Sequence, residues 1–213
     1  MSDTLILIFE LIGTVAFSAS GAMTGIKKRM DILGVIILGL TTAVGGGVIR
    51  DLILGNTPPN TFRNPIYATV AIVTAVIVFM PQVYRLLSKN QRLYDYIMLW
   101  MDSLGLGIFT VVGIQVAHSM GDSIGTHSAF LMLFVGVVTG VGGGVLRDVM
   151  AGDRPYIFVK HFYATASLCG AAAAITLWHS LGSATAMIAG TVTVVVLRIL
   201  AAKFHWSLPK LEL

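Results

Sequence analysis

Charge is scarce in this 213-residue chain: Asp, Glu, Lys and Arg together make up 11% of it, against a hydrophobic share of 56%. A soluble domain carries about 25% charged residues, so the chain lacks the polar side chains to cover a water-facing globule. Cysteine is nearly absent as well. Cys169 stands alone in an alanine-rich apolar run. That excludes an internal disulfide and a thiolate metal cluster, and leaves a small buried hydrophobe as its expected role. The five histidines (118, 127, 161, 179 and 205) lie near the ends of apolar runs without metal-ligand spacing. No nucleophile stands in a set with a base, so neither an enzyme nor a cofactor is expected. The glycine runs are not phosphate loops, because no Gly-Lys-Ser/Thr follows them. The net charge of +4 comes from basic residues in short loops between apolar runs, the pattern of membrane orientation signals, and no nucleic-acid partner is expected.

What the chain does have is long apolar stretches. A membrane-spanning helix needs about 20 apolar residues. Seven segments qualify: 4–25, 32–54, 65–87, 95–118, 127–151, 160–181 and 184–204. The chain therefore reads as one all-α polytopic transmembrane domain over 1–213. Asp3 precedes the first run and no basic stretch does, so that run is read as a retained span. Gly152-Asp153-Arg154-Pro155 marks a turn after the fifth span, whereas only 179–183 separate the sixth from the seventh. Trp100, Trp178 and Trp206 suit anchoring at the membrane interface.

Loop charges give a direction. Lys27, Lys28, Arg29, Arg85, Lys89, Arg92, Arg154, Lys160, Lys203 and Lys210 fall on one side; Arg63 stands opposite, with Asp3 and Asp122. Basic loops stay in the cytoplasm, which places the N-terminus outside and the C-terminus inside. Lys27-Lys28-Arg29 reads first as an orientation signal, with anionic lipid binding as the alternative.

The chain also repeats itself. Val44-Gly45-Gly46-Gly47-Val48-Ile49-Arg50-Asp51 recurs 97 residues later as Val141-Gly142-Gly143-Gly144-Val145-Leu146-Arg147-Asp148. Glu10, Gly13, Phe17 and Gly21 match Asp102, Gly105, Phe109 and Gly113 at an offset of 92; Phe62, Tyr67, Ala68 and Thr69 match Phe158, Tyr163, Ala164 and Thr165 at 96. Spans one to three (4–87) thus duplicate as spans four to six (95–181). Three is odd, so the second copy crosses the membrane in the opposite sense, giving two inverted three-helix repeats plus a seventh helix at 184–204.

Each glycine costs a helix about 1 kcal/mol relative to alanine. Three in succession predict that helices 2 and 5 kink or unwind near mid-membrane, where broken backbone is tolerated only beside protein or a wet cavity. Close helix packing is the alternative. Arginine in mid-membrane costs about 2.5–3.5 kcal/mol on insertion scales and needs a partner. Asp51 and Asp148 point about 100° away from Arg50 and Arg147 on an ideal helix. Depth instead suggests Glu10–Arg50 and Asp102–Arg147 as the intramembrane ion pairs, leaving Asp51 and Asp148 as acids that attract cations. A polar lock that merely fixes packing is the other reading of these six. Thr41, Thr42 and Thr139 either supply hydroxyl ligands or bond back to their own helices.

The doubled Gly-Gly-Gly-x-x-Arg-Asp motif and the 3 + 3 + 1 plan resemble the prokaryotic trimeric intracellular cation (TRIC) channels, also classed as bacterial inner-membrane proteins with paired "glycine transporter" domains. The resemblance spans nearly the whole chain. It implies a homotrimer in the bacterial inner membrane. Each subunit would carry an hourglass pore for potassium, with sodium also passing, between the two repeats. It makes Gly45, Gly46, Gly47, Gly142, Gly143 and Gly144 the kinks, and Arg50, Asp51, Arg147 and Asp148 the attached polar residues. The fourth span, 96–117, has no lysine or arginine, so it lacks the basic motif through which the animal channels hold a phosphoinositide. Two other functions stay open: a secondary transporter of a small amino acid such as glycine, and a structural membrane oligomer.

Overall fold

The computed structural model describes residues 3–159 and 162–206. Lys160, His161 and Lys210, and the side chains of Asp3 and His179, lie outside the described residues. Every regular element in the described residues is helical. Helix α1 runs Asp3–Lys27 and α2 Ile32–Ile53. Asp31 starts α2, its carboxylate accepting the Gly34 N–H at 2.7 Å, which satisfies an otherwise orphaned donor. A short α3, Asn60–Arg63, leads into α4, Ile66–Phe79, and α5, Pro81–Ser88. Then come α6, Gln91–Ser119, capped by Asn90, a short α7, Gly121–Ile124, and α8, Ala129–Met150. The short α9, Tyr156–Val159, precedes α10, Ala164–Phe204.

By length and composition α1, α2, α6, α8 and the 180–204 part of α10 are long and apolar enough to cross a membrane; α4 and the 164–178 part of α10 are shorter apolar helices. Two boundaries differ from the sequence expectation. The third span does not continue to residue 87 as one helix. Proline has no N–H to give and pushes the preceding residue out of the helical region, and Met80 accordingly takes φ −57°, ψ 137° before Pro81 starts α5. The break between the last two spans is a single residue, Gly182, at φ 78°, a left-handed backbone that glycine takes without steric penalty.

Helix α1 packs on α2, α4 and α6, α2 packs on α8, and α6 packs on α8 and α10. The centre is therefore α1, α2, α6 and α8, with α4 and α10 flanking opposite halves. Apolar side chains such as Leu33, Leu52, Val73, Val149, Ile188 and Val192 face outward, while Arg50, Asp51, Asp102, Arg147, Asp148 and Arg198 are buried. This inverts the pattern of a water-soluble protein and suits a hydrocarbon surround, in which ionised groups turn inward.

Two smaller expectations fail. Cys169 is exposed, not buried; it lies beside exposed Leu168 on the outward side of α10. Trp178, expected to anchor at a membrane surface, is instead buried at 7% exposure in the core cluster, its ring 5.4 Å from that of His118.

Candidate functional site

The two glycine triplets meet. Helical backbone continues through 45–47 and 142–144, so neither triplet holds an unwound turn. A Cβ built on Gly46 would collide with the Thr139 carbonyl oxygen, and one on Gly143 with that of Thr42. Only a residue without a side chain lets α2 and α8 come this close. Gly45 and Gly142 face Leu146 and Ile49 of the opposite helix, and Gly47 and Gly144 lie beside Nη2 of Arg50 and Arg147, each 3.8 Å from a built Cβ. Thr42 and Thr139 bond back to the Leu38 and Val135 carbonyls, both at 2.6 Å. Phe17 and Phe109 stack at 5.3 Å, and Phe17 packs against Gly143.

On the Lys27–Lys28 side of this crossing lies a lower polar set. Arg147 is fully buried. Its Nη1 donates to Asp102 Oδ1 at 2.6 Å and to Ser20 Oγ at 2.5 Å, and its Nε donates to Asp148 Oδ1 at 2.8 Å. The guanidinium also lies 5.0 Å from the Tyr156 ring centre. Tyr163 reaches Asp102 Oδ1 at 3.4 Å, and Arg198 Nη2 reaches Asp102 Oδ2 at 3.4 Å. These contacts offset a desolvation cost that a lone arginine would carry in full.

The upper set, on the Asn60 side, repeats the pattern more loosely. Arg50 Nη1 stands 3.9 Å from Glu10 Oε1, while Arg50 Nε donates to Asp51 Oδ1 at 2.8 Å. Glu10 Oε2 accepts a short hydrogen bond from the Tyr67 hydroxyl.

Asp51 and Asp148 differ from expectation: neither is an uncompensated acid. Ideal helix geometry points successive residues apart, but the long arginine folds back so that its Nε meets the next carboxylate. The second oxygen is also taken. Asp51 Oδ2 accepts the Asn60 N–H at 2.7 Å and Asp148 Oδ2 the Tyr156 N–H at 2.8 Å. Each aspartate thus fastens the first turn of a short helix, α3 or α9, to the helix that carries it.

Cavities open on both sides of the crossing. The lower one, about 320 Å³, is bordered by Lys28, Tyr94, Asp102, Asp153 and Arg198 among others. The upper one, about 20 Å³, is bordered by Glu10, Gly47, Arg50, Tyr67 and Phe109. Lys28 Nζ and Asp153 Oδ1 pair at 2.6 Å beside the lower cavity. Sequence reasoning missed several participants, among them Asn60 and Tyr156, whose N–H groups leave no sequence signal. Tyr67 and Tyr163 were visible as a repeat match without a role. Arg198 was visible as an arginine within the seventh apolar run, which marks it as a partner-seeking charge. Ser20 carries no signal that separates it from the other small residues of α1.

Apolar helices around buried, mutually paired charges define a multi-pass helical membrane protein. Its sequence matches the Glycine transporter family over residues 7–82 and 99–179, and the chain belongs to that family. It is 36% identical to the UPF0126 inner membrane protein YadS of Escherichia coli K12, covering 98% of this chain and 97% of the relative. Among solved structures it is similar to a TRIC cation channel described for its conductance, with TM-score 0.82, 36% identity and 97% of each chain covered. It is similar also to the TRIC orthologue of Rhodobacter sphaeroides, with TM-score 0.81, 31% identity, and 96% of this chain and 100% of that one covered.

Proposed function

We propose that the protein is a cation channel of the inner membrane, conducting chiefly potassium and also sodium. The pathway runs inside each subunit between two inverted three-helix repeats, from the upper cavity past the Gly46–Gly143 crossing to the lower cavity. Seven spans, an outside N-terminus, a cytoplasmic C-terminus and a homotrimer in membrane lipid complete the reading. The observation that carries it is the matched pair of buried carboxylate–arginine sets, one on each side of the glycine crossing, each bordering a cavity. Similarity to two TRIC structures over nearly the whole chain supports the same function.

On this reading the pathway is shut at the crossing, where the α2 and α8 backbones approach too closely to admit even a Cβ at Gly46 or Gly143. Conduction requires α2 and α8 to bend or part at 45–47 and 142–144, where missing side chains leave the backbone easiest to deform. Asp51 and Asp148 keep the loops in place, while Glu10 and Asp102 supply the carboxylates that face the cavities and favour cations.

Purified protein in a planar bilayer under symmetric KCl is expected to give unitary currents that need no amino acid. Saturable, ion-coupled glycine uptake into proteoliposomes without unitary currents contradicts the channel and favours a transporter. Silence in both assays leaves a structural membrane protein.

A further inference from the structure

Arg198 is the buried charge that the repeat does not explain. Arg50, Asp51 and Glu10 each have a counterpart in Arg147, Asp148 and Asp102, but Arg198 lies on the last part of α10, beyond both copies. It is 3% exposed and borders the lower cavity. Its guanidinium lies 4.7 Å from the Tyr163 ring centre, and its Nη2 is 3.4 Å from Asp102 Oδ2. Its Nε is buried without a hydrogen-bond partner. Asp102 already has a closer partner in Arg147 at 2.6 Å. Arg147, however, is shared between Asp102 and Asp148, so Arg198 is the second cation that brings the lower set into formal balance.

The consequence is electrical. The upper set holds one arginine against two carboxylates, for a formal charge of −1. With Arg198, the lower set holds two arginines against two carboxylates, for a formal charge of 0. The other charged residues bordering the lower cavity, Lys27, Lys28, Asp95 and Asp153, cancel in sign. Arg63, near the upper end, is exposed, where salt screens it. The geometry points to Arg198 as the residue that makes the two ends of the pathway electrically unequal, so that cations load more readily from the upper cavity than from the lower.

This rests on the channel reading. A fixed positive charge beside a cavity lowers the local concentration of mobile cations there, and a buried charge is screened less than a surface one. Flux from the upper side begins beside a set of net charge −1, which enriches cations; flux from the lower side begins beside a set that Arg198 holds at zero, without that enrichment. The wild-type channel should then pass larger currents from the upper to the lower side than in reverse under symmetric salt.

The test is recording from giant spheroplast patches in symmetric KCl, where biosynthetic insertion fixes the sidedness. Arg198→Gln is expected to raise the lower-to-upper current relative to the reverse current by roughly two- to ten-fold. Arg198→Lys, which keeps the charge, is expected to keep the wild-type asymmetry. If Arg198→Gln does not reach the membrane, Arg198→Met, of similar length and uncharged, is read in the same way. A conducting wild type whose current–voltage shape survives loss of the charge overturns the inference while leaving the channel intact. So does an Arg198→Lys channel altered as much as the neutral variant, since packing and not charge would then be at work. A silent wild type overturns the channel reading itself.

Discussion

Arg50 and Arg147 occupy equivalent places in the repeat, yet their surroundings differ in a way that should be measurable. Arg147 and Asp102 are sealed in, each side chain 1% exposed, at 2.6 Å. Glu10 is 12% exposed, stands 3.9 Å from Arg50 and relies on Tyr67 for its hydrogen bond. Breaking a buried pair leaves an uncompensated charge and costs about 3–5 kcal/mol. Asp102→Asn should therefore destabilise the protein by that amount. Glu10→Gln keeps an acceptor for Tyr67 and should cost about 1 kcal/mol. Unfolding in mixed SDS–detergent micelles checks both, and equal losses would contradict the ranking. The sequence did suggest which carboxylate sits at the depth of which arginine. It did not suggest that Asp51 and Asp148 also bind their neighbours. Helical direction alone argues against that contact, and the arginine's reach and the N–H groups of α3 and α9, which create it, leave no periodic trace.

At the scale of helices, the two triplets divide the work among their glycines. A Cβ on Gly46 meets the backbone of α8, whereas a Cβ on Gly47 meets nothing nearer than 3.8 Å, at the tip of Arg50. Gly46→Ala must push α2 and α8 apart, and overpacking of this kind costs about 1–3 kcal/mol. Gly47→Ala should be neutral or stabilising, within about 1 kcal/mol, because alanine favours the helix. Thermal denaturation in detergent separates them; similar melting shifts for both would mean that the triplet acts through flexibility and not through the crossing. The helical segments were legible from apolar runs, and the break near Gly182 from a short loop. The break at Pro81 and the short α3 and α9 were not. A proline inside an apolar run leaves hydropathy unchanged, and four-residue helices are too short to show a period.

For the whole molecule, family membership follows from the match over residues 7–82 and 99–179 and from likeness to relatives over nearly its full length, and the multi-pass architecture from its long apolar helices. The meeting of the two triplets was not legible: glycines in a row announce softness, but that they face each other across the centre depends on how four helices pack. The account's central claim is that cations pass where α2 and α8 cross. The side chain of Leu146 occupies the place where a Cβ on Gly45 would stand, so Gly45→Cys with Leu146→Cys brings two thiols together across that crossing. With exposed Cys169 replaced by serine, this pair can be oxidised and reduced during recording in a planar bilayer. The account predicts that potassium current through the purified protein disappears as the bridge forms and returns on reduction. Full current through protein shown to be completely bridged would contradict it.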